Sequence, residues 1–497
     1  MTTANIELLL TKPVAHINPN IYGHFAEHLG RCIYDGIWVG EDSPIPNTGG
    51  FRNDVIQALR KLKPPIIRWP GGCFADDYHW QDGIGPRAQR PRRINIHWGE
   101  VIETNAVGTQ EFVRFCRLVG AEPYLCGNVG SGTVRELRDW VEYCNFPGDS
   151  TWARQRAADG SPQPLGVNYW GVGNENWGCG GNFSPEDYCT EFRRYATFVR
   201  GFGQRLFVIA CGPPGNDVEW THRFFRKLYK DYWAFNNIQG FAAHYYCGTA
   251  GTATEYTVDQ WYQLIANGLQ MEPLVVQQRA AMDAFDPQRH IGLIVDEWGT
   301  WHLVEKGTNP AFLYQQNSLR DALVAATTLD ILNRHADKVV MANIAQTVNV
   351  LQAMILTEGD KMLVTPTGYV YALYAPHQGG ESVRATVETE TVMFKRGDKD
   401  EVVPVVAGSA SLKGRTLFVT LTNAHATAGA QVTVNLLGDA TATDANGSIL
   451  TGEIHAHNAF DQPEAVKPQP FAIATRGASL VVELPPASVV ALETHLS

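Results

Sequence analysis

Eight short apolar runs, each rich in β-forming residues, alternate with amphipathic helical stretches between about residues 17 and 378. The helical stretches, such as residues 51–62 and 317–336, repeat apolar side chains at three- and four-residue spacing. Strands that alternate with helices predict parallel βαβ units, and eight of them predict a closed (β/α)8 TIM barrel of the α/β class. A doubly wound open sheet is the alternative, but the glycine-rich phosphate-binding pattern that often follows its first strand is absent. The eight runs are IYGHF near residue 21, PIIRW at 65–69, PYLCGN at 123–128, VNYWGVG at 167–173, LFVIACG at 206–212, IQGFAAHYY at 238–246, IGLIVDEW at 291–298 and VVMANIA at 339–345.

The pattern changes after about residue 380. Segments such as VRATVETETVMF, TLFVTLTN and AQVTVNLL alternate apolar and polar residues with period two, and turn-forming stretches such as GDKD and DANGS separate them. This pattern predicts a C-terminal all-β sandwich, jelly-roll-like, over residues 381–497. The barrel is then expected over residues 17–380, and residues 1–16 are expected to form an N-terminal strand that joins the sandwich.

Charge and cysteine content exclude several function classes. The 497-residue chain has 40 basic and 51 acidic side chains, a net charge of -11, and no basic run, which argues against nucleic acid or an anionic membrane surface as a partner. No apolar run is long enough to span a bilayer, and the N-terminus lacks the pattern of a signal peptide, so a cytoplasmic location is expected. The nine cysteines show no CxxC or ligand-like spacing, which predicts reduced thiols with no disulfide framework and no metal site. No cofactor motif is present, so no cofactor is expected.

Catalytic side chains of such a barrel lie where the strands end. The predicted strands end in few reactive groups, and two of these are glutamates on nonadjacent strands, Glu175 and Glu297. Glycoside hydrolysis requires such a pair, with one carboxylic acid to protonate the leaving oxygen and one carboxylate to attack the sugar or position water. Trp177, Trp298 and Trp301 are expected to offer apolar faces to sugar C–H groups. Asp296 is expected to point away from Glu297 and to act as a structural residue or a support for site residues, because neighbouring strand residues face opposite sides.

Longer segments extend this argument to a family. In the order of the chain they are GHFAEHLGRCIYDGIWVG (23–40), RWPGGCFADDYHW (68–80), HWGEVIETNAVGTQEF (97–112), WGVGNENWGCGGN (170–182), HYY (244–246), VDEWGTWH (295–302), ANIAQTVNV (342–350) and HNAFDQPEAVKP (457–468). Together these segments, which cover both predicted domains, resemble the α-L-arabinofuranosidases of glycoside hydrolase family 51.

The resemblance implies a role for each site residue. Glu175 would be the general acid/base and Glu297 the nucleophile of a retaining mechanism, and Asn174 would bind the sugar 2-hydroxyl. Arg68 and Tyr246 would hold Glu297 ionised. The pocket for a terminal arabinofuranose would be lined by Glu27, the backbone around Cys73, His244, Trp301 and Gln346.

The physical chemistry of the sequence agrees with these roles. A cation and a tyrosine hydroxyl near Glu297 should lower its pKa and keep it a carboxylate. Glu175, flanked by glycines and tryptophans without a nearby cation in sequence, is expected to keep its proton until the leaving group needs it. Retention further predicts carboxyl groups about 5–5.5 Å apart, against roughly 6.5–9.5 Å for inversion.

Several alternatives stay open at this point. An endo-acting β-glucanase or xylanase would use the same barrel and acid pair, in an open cleft instead of a blind pocket. A noncatalytic carbohydrate-binding protein would bind its ligand on the β-sandwich. The expected substrate is an arabinofuranosyl-containing oligo- or polysaccharide such as arabinan or arabinoxylan, and the resemblance also implies a homo-oligomer, specifically a hexamer.

Overall fold

A computed structural model describes residues 2–438 and 440–497 and contains a closed barrel of eight parallel strands. Neighbouring strands pair in chain order, and the eighth closes the barrel against the first through Asn343 opposite Gly23. Every predicted apolar run supplies one strand, so the (β/α)8 prediction is confirmed. Barrel strands 1 to 8 are Gly23–Phe25, Ile66–Trp69, Glu122–Gly127, Tyr169–Val172, Phe207–Pro214, Gly240–Gly248, Gly292–Trp301 and Val339–Ala345.

Helices surround the barrel, and several of them begin at polar capping residues. Ser184, for example, accepts a hydrogen bond from the Asp187 amide at 3.2 Å, and Pro185 occupies the first turn. The helix Leu319–Arg334 is buried along nearly its whole length because it lies between the barrel and the C-terminal β domain. The helices are Asn53–Leu62, Thr109–Val119, Val134–Asn145, Thr151–Ala158, Pro185–Phe198, Val218–Leu228, Tyr232–Asn236, Val258–Gly268, Met271–Asp283, Leu319–Arg334 and Pro366–Tyr374.

The β domain consists of ten hydrogen-bonded strands around a hydrophobic core of its own. The N-terminal strand Thr2–His16 lies inside this sheet, antiparallel to Glu381–Thr389 and parallel to Ala430–Leu437. Ile6 and Leu8 of this strand are buried in the domain core, so the two ends of the chain fold together. In spatial order the strands are Gln469–Phe471, Ala442–Thr451, Ser488–Leu496, Thr416–Asn423, Val406–Lys413, Glu381–Thr389, Thr2–His16, Ala430–Leu437, Ser479–Leu484 and Ala474–Arg476.

The described residues also form four two-stranded ribbons outside the barrel and the ten-stranded sheet. Arg93–Ile94 pairs with Ile102–Glu103 in the long loop after barrel strand 2, which matters for the site below. The other ribbons are Asn47–Thr48 with Phe51–Arg52, Ile355–Glu358 with Lys361–Val364, and Thr391–Arg396 with Lys399–Pro404. None of the described helices is both long enough and apolar enough to cross a membrane.

A buried polar cluster joins the two domains, and we call it the interface cluster. Asp330 on the interdomain helix accepts hydrogen bonds from the hydroxyls of Ser409 and Thr420 in the β domain, both at 2.7 Å. Asn333, one turn later, donates to Ser409 at 3.1 Å and accepts from Tyr22 of the barrel at 2.9 Å. These bonds fix the relative position of barrel and β domain through side chains that are inaccessible to solvent.

Candidate active site

Glu297 lies within barrel strand 7, where it is buried and surrounded by donors. Arg68 of strand 2 donates from Nη1 to one carboxylate oxygen at 2.8 Å, and Tyr246 of strand 6 donates to the other at 2.8 Å. Burial alone would raise the pKa of Glu297, but His244, Arg68 and Tyr246 outweigh it and hold that pKa below its usual value. The described site therefore keeps a buried carboxylate in its charged form.

Asp296 supports a site residue, as expected, but the strand alternation that was expected to turn it away from Glu297 is broken. Barrel strands 6 and 7 pair Ala243 with Val295 and then His244 with Glu297, so Asp296 is the extra residue of a β-bulge. Its side chain lies 3.2 Å from Arg68 Nε and accepts hydrogen bonds from Tyr124 and Asn343, both at 2.7 Å. The bulge breaks the alternation on which the sequence argument depended, and it gives Arg68 a second carboxylate partner.

Glu175 follows barrel strand 4 on a tight turn. Its φ of 41° is in the left-handed region, and a Cβ on Gly173, with φ of 83°, would lie 2.1 Å from Asn176 Oδ1. Asn174 precedes it and accepts a hydrogen bond from Arg68 Nη2 at 2.5 Å, which ties strand 4 to strand 2. The glycine is therefore required for the turn that presents this acid to the barrel mouth.

Asp76 stabilises the same turn through hydrogen bonds to its backbone. Its carboxylate accepts the backbone N–H of Asn174 at 2.7 Å, and the backbone N–H groups of Val129 and Gly130 at 2.6 and 2.9 Å. Burial raises the pKa of Asp76 to about 7 in spite of these bonds. The sequence analysis did not select Asp76, and its only signal was its place inside the segment RWPGGCFADDYHW.

His244 connects the two glutamates. Its Nδ1 lies 3.0 Å from Glu175 Oε1 and 3.6 Å from Glu297 Oε2, and one oxygen of each carboxylate falls within 4.8 Å of the other. Burial disfavours the charged imidazole, but the charge of Glu297 and the hydrogen bond to Glu175 raise the pKa of His244 above its usual value. No cationic side chain is close to Glu175 in sequence, but the fold places His244 of strand 6 beside it.

Glu27 lies close to Glu297 and accepts three hydrogen bonds. They are the Phe74 amide at 3.1 Å, Trp98 Nε1 at 3.0 Å and Gln346 Nε2 at 3.0 Å. Burial and the charge of Glu297 raise the pKa of Glu27 to about 7. The loop after strand 2 approaches closely because it carries Gly72, where a Cβ would lie 3.0 Å from Glu297 Oε1. Trp98, which the sequence analysis also missed as a site residue, connects the ribbon after strand 2 to Glu27.

Cys73 forms a disulfide bond with Cys179, so the prediction that all thiols are reduced is wrong. The two cysteines are 106 residues apart, and only the barrel brings the loops after strands 2 and 4 together. The other seven cysteines are free and buried, as the composition suggested. The disulfide lies directly beside Glu175, with Cys179 Sγ 3.7 Å from Oε2 of that carboxyl group.

The three candidate tryptophans lie in different environments. Trp301 is 36% exposed and its ring meets that of Tyr246 edge to face at 5.0 Å, which places it at the rim of the site. Trp298 is 1% exposed and stacks against Tyr371, so the expectation that it faces a sugar is wrong. Trp177 is partly buried against the barrel core. Only Trp301 has a contact with a site residue that supports a role in the pocket.

The described site brings a titratable histidine, Glu175 and the buried carboxylate of Glu297 close together. The pair of carboxylates is close enough for direct attack on a sugar carbon by one and proton transfer by the other. Glu175, His244 and Glu297 could in principle ligate a cation, but His244 and Arg68 already neutralise Glu297. The chemistry that this arrangement supports is acid-assisted nucleophilic substitution.

Comparisons with known proteins agree with this geometry. Residues 58–257 match the family described as "Alpha-L-arabinofuranosidase 1 domain", and residues 296–488 match "Alpha-L-arabinofuranosidase C-terminal domain". The chain is 44% identical to the "Intracellular exo-alpha-L-arabinofuranosidase" of Bacteroides ovatus over 96% of this chain and 93% of that protein.

Two solved structures extend the likeness over the whole fold. The GH51 arabinofuranosidase from Xanthomonas axonopodis pv. citri superimposes with a TM-score of 0.95 at 45% identity, and both chains are covered completely. The α-L-arabinofuranosidase from Thermotoga maritima, solved as an arabinose complex, gives a TM-score of 0.87 at 31% identity, again with full coverage of both chains. With matching sequence over both domains and the same overall architecture, the chain belongs to the α-L-arabinofuranosidases of glycoside hydrolase family 51.

Proposed function

We propose that this protein is an exo-acting, retaining glycosidase that releases terminal α-L-arabinofuranosyl residues from arabinan, arabinoxylan or their oligosaccharides. The observation that carries the proposal is the buried Glu297 carboxylate, which Arg68 and Tyr246 hold charged within 4.8 Å of a Glu175 oxygen. That closeness fits the short carboxyl separation of retaining enzymes better than the longer separation of inverting enzymes.

In the first step Glu297 attacks the anomeric carbon while Glu175 delivers a proton to the leaving oxygen. A covalent glycosyl-enzyme forms, and the aglycone leaves as an alcohol. In the second step Glu175 removes a proton from water, which attacks the same carbon and releases Glu297 as a carboxylate. Glu175 and His244 hold the transferable proton between them, because Nδ1 and Oε1 are at hydrogen-bond distance.

The surrounding residues supply binding and specificity in this proposal. Asn174 is held by Arg68 at the position from which it would bind the sugar 2-hydroxyl. Glu27, linked to Gln346, would bind a hydroxyl on the far side of the ring, and Trp301 would cover the sugar at the rim. The backbone at Cys73 and the side chain of His244 would complete the pocket.

The activity is tested on an aryl α-L-arabinofuranoside. We expect the wild-type protein to release the aryl alcohol, and we expect Glu297→Ala and Glu175→Ala to lose nearly all of that activity. Product analysis by NMR immediately after mixing with methanol should show methyl arabinofuranoside with the anomeric configuration of the substrate. Full activity in either glutamate variant, or an inverted product, would contradict the proposal.

An endo-acting β-glucanase or xylanase is not favoured. Exo cleavage of arabinan releases free arabinose from the start of the reaction, whereas endo cleavage lowers viscosity before any monosaccharide accumulates. A matched assay on glucan and xylan backbones without arabinosyl branches should show no product.

We also propose a domain division, an oligomeric state and a location for this protein, all of which the family resemblance implies. The barrel over residues 17–380 would form the catalytic unit, and residues 1–16 and 381–497 the supporting β domain.

A homo-oligomer, specifically a hexamer, is expected, and side chains such as Tyr232 and Trp233, 80% and 71% exposed, offer apolar surface for it. Light scattering coupled to gel filtration measures this mass directly. The name of the Bacteroides relative supports an intracellular location.

A further inference from the structure

Three potential metal ligands converge at Glu175. Cys179 Sγ and Cys73 Sγ lie 3.7 and 4.0 Å from the same carboxylate oxygen, Oε2. The three ligand atoms all fall within 4.8 Å of one another. As long as the disulfide is intact its sulfurs are poor ligands, since a metal binds the thiolate form of cysteine.

The spacing fits a tetrahedral site once the disulfide is reduced. Bonds of about 2.3 Å from Zn²⁺ to sulfur and about 2.0–2.2 Å to a carboxylate oxygen place sulfur and oxygen about 3.5 Å apart. The observed separations of 3.7 and 4.0 Å are close to this value. The two Cα atoms are 5.5 Å apart, so rotation of the cysteine side chains suffices to separate the sulfurs around a shared ion.

The donor set selects the class of metal. Two thiolates and one carboxylate favour a thiophilic divalent cation such as Zn²⁺, and they disfavour Mg²⁺ or Ca²⁺, which prefer oxygen ligands. Three protein ligands leave a fourth position for water. Both cysteines are partly exposed, as is the Glu175 side chain at 19%, so a reductant and an ion can reach them from solvent.

We propose that reduction of the Cys73–Cys179 disulfide creates an inhibitory binding site for a thiophilic divalent cation on Cys73, Cys179 and Glu175. A dithiol reductant supplies two electrons and two protons, so that the protein disulfide becomes two thiols while the reductant closes into its own disulfide. Binding of the cation then releases the thiol protons and occupies the Glu175 carboxylate. The inhibition rests on the proposed function of Glu175, but the binding itself does not.

Metal binding is measured directly by titration calorimetry with ZnCl2. The protein is reduced with dithiothreitol and desalted without oxygen, and thiols are counted before the titration. We expect two additional thiols and one Zn²⁺ per reduced chain, with no comparable binding to the oxidised protein. Co²⁺ in place of Zn²⁺ should show thiolate-to-metal charge-transfer absorption only after reduction.

Variants separate this site from other cysteines. Cys73→Ser/Cys179→Ser should abolish the binding, Glu175→Gln should weaken it at least about tenfold, and Cys189→Ser, at a buried free cysteine, should bind like wild type. In the activity assay Zn²⁺ should inhibit the reduced enzyme at least tenfold more than the oxidised enzyme, and a chelator should restore activity.

The proposal is overturned if the disulfide stays closed in the native protein under reductant, if the reduced protein binds no Zn²⁺, or if the double serine variant binds equally well. Zn²⁺ binding without any arabinofuranosidase activity would instead contradict the proposed function alone.

Discussion

Two buried carboxylates in this molecule have opposite electrostatic surroundings. Glu297, at the barrel mouth, contacts the guanidinium of Arg68 and lies near His244, and its pKa is held below the usual value. Asp330, in the interface cluster, accepts hydrogen bonds from two neutral hydroxyls, and burial raises its pKa to about 6. Burial is thus outweighed where a guanidinium contacts the carboxylate, as at Glu297, and prevails at Asp330, where the charge of Arg334 only partly offsets it. The first arrangement suits a nucleophile, and the second suits a structural joint.

The largest effect is expected from Glu297→Gln. The amide keeps the shape of the side chain but cannot form the glycosyl-enzyme, so kcat should fall by about 10⁴-fold or more. Steady-state kinetics on an aryl arabinofuranoside measures the loss. The matched change at the other carboxylate, Asp330→Asn, should leave kcat within about twofold, and an equal loss in both variants would remove the distinction between the two sites.

Arg68→Met tests whether the cation maintains the charge of Glu297. Without it, burial dominates and the pKa of Glu297 should rise, so the acidic limb of the kcat/KM profile should move to higher pH. We expect kcat/KM at neutral pH to fall by about 10²–10³-fold, because Asn174 and Asp296 lose the same partner. Since unpaired buried charge can destabilise by roughly 3–5 kcal/mol, circular dichroism must first show a folded protein. Arg68→Lys, which keeps the charge, should restore the limb in part; an unchanged limb in Arg68→Met contradicts the argument.

His244→Gln tests the shared proton at Glu175. Glutamine can still hydrogen-bond to Glu175 but cannot carry the proton, so kcat/KM should fall by about 10–100-fold. The loss should be larger for substrates with poor leaving groups, which depend on protonation. Because the pKa of His244 is raised, the basic limb of the wild-type profile should lie above the usual histidine range, and that limb should shift in the variant. Equal losses for good and poor leaving groups would indicate a role in packing alone.

The smallest effect on activity and a distinct effect on stability are expected from Asp330→Asn. The folded pKa of about 6 exceeds the ordinary 3.8, so the folded state binds more protons than the unfolded state between these values. The free energy of unfolding should therefore decrease as pH rises from about 4 to 6, by a contribution on the order of 3 kcal/mol. In the variant this contribution should be absent, and urea unfolding at pH 4.5 and 7.5 measures the difference. The same pH dependence in wild type and Asp330→Asn would show that folding does not raise the pKa of Asp330.

The eight barrel strands could be predicted from the sequence because a buried parallel strand is a continuous apolar run, and each run can be recognised separately. The positions of Glu175 and Glu297 could be read equally well, since each acid lies at the end of such a run, while their catalytic roles stay a prediction. The direction of Asp296 was wrong because a bulge cannot be read from alternation, although its supporting role was expected. Trp298 was wrongly assigned to the pocket because its side chain is buried in the barrel core. Asp76 and Trp98 were missed for another reason: their roles are hydrogen bonds to residues about 100 and 71 positions away.

By itself the sequence determined the barrel, the C-terminal β domain and the family, and it located two strand-end glutamates, because local periodicity and continuous motifs encode them. Only the tertiary structure decided how the site is charged. His244 reaches Glu175 from a different strand, Arg68 contacts two carboxylates at once, and Cys73 meets Cys179 across 106 residues. Electrostatic and covalent partners depend on distance in space, and closing the barrel sets those distances when it brings eight strand ends to one rim.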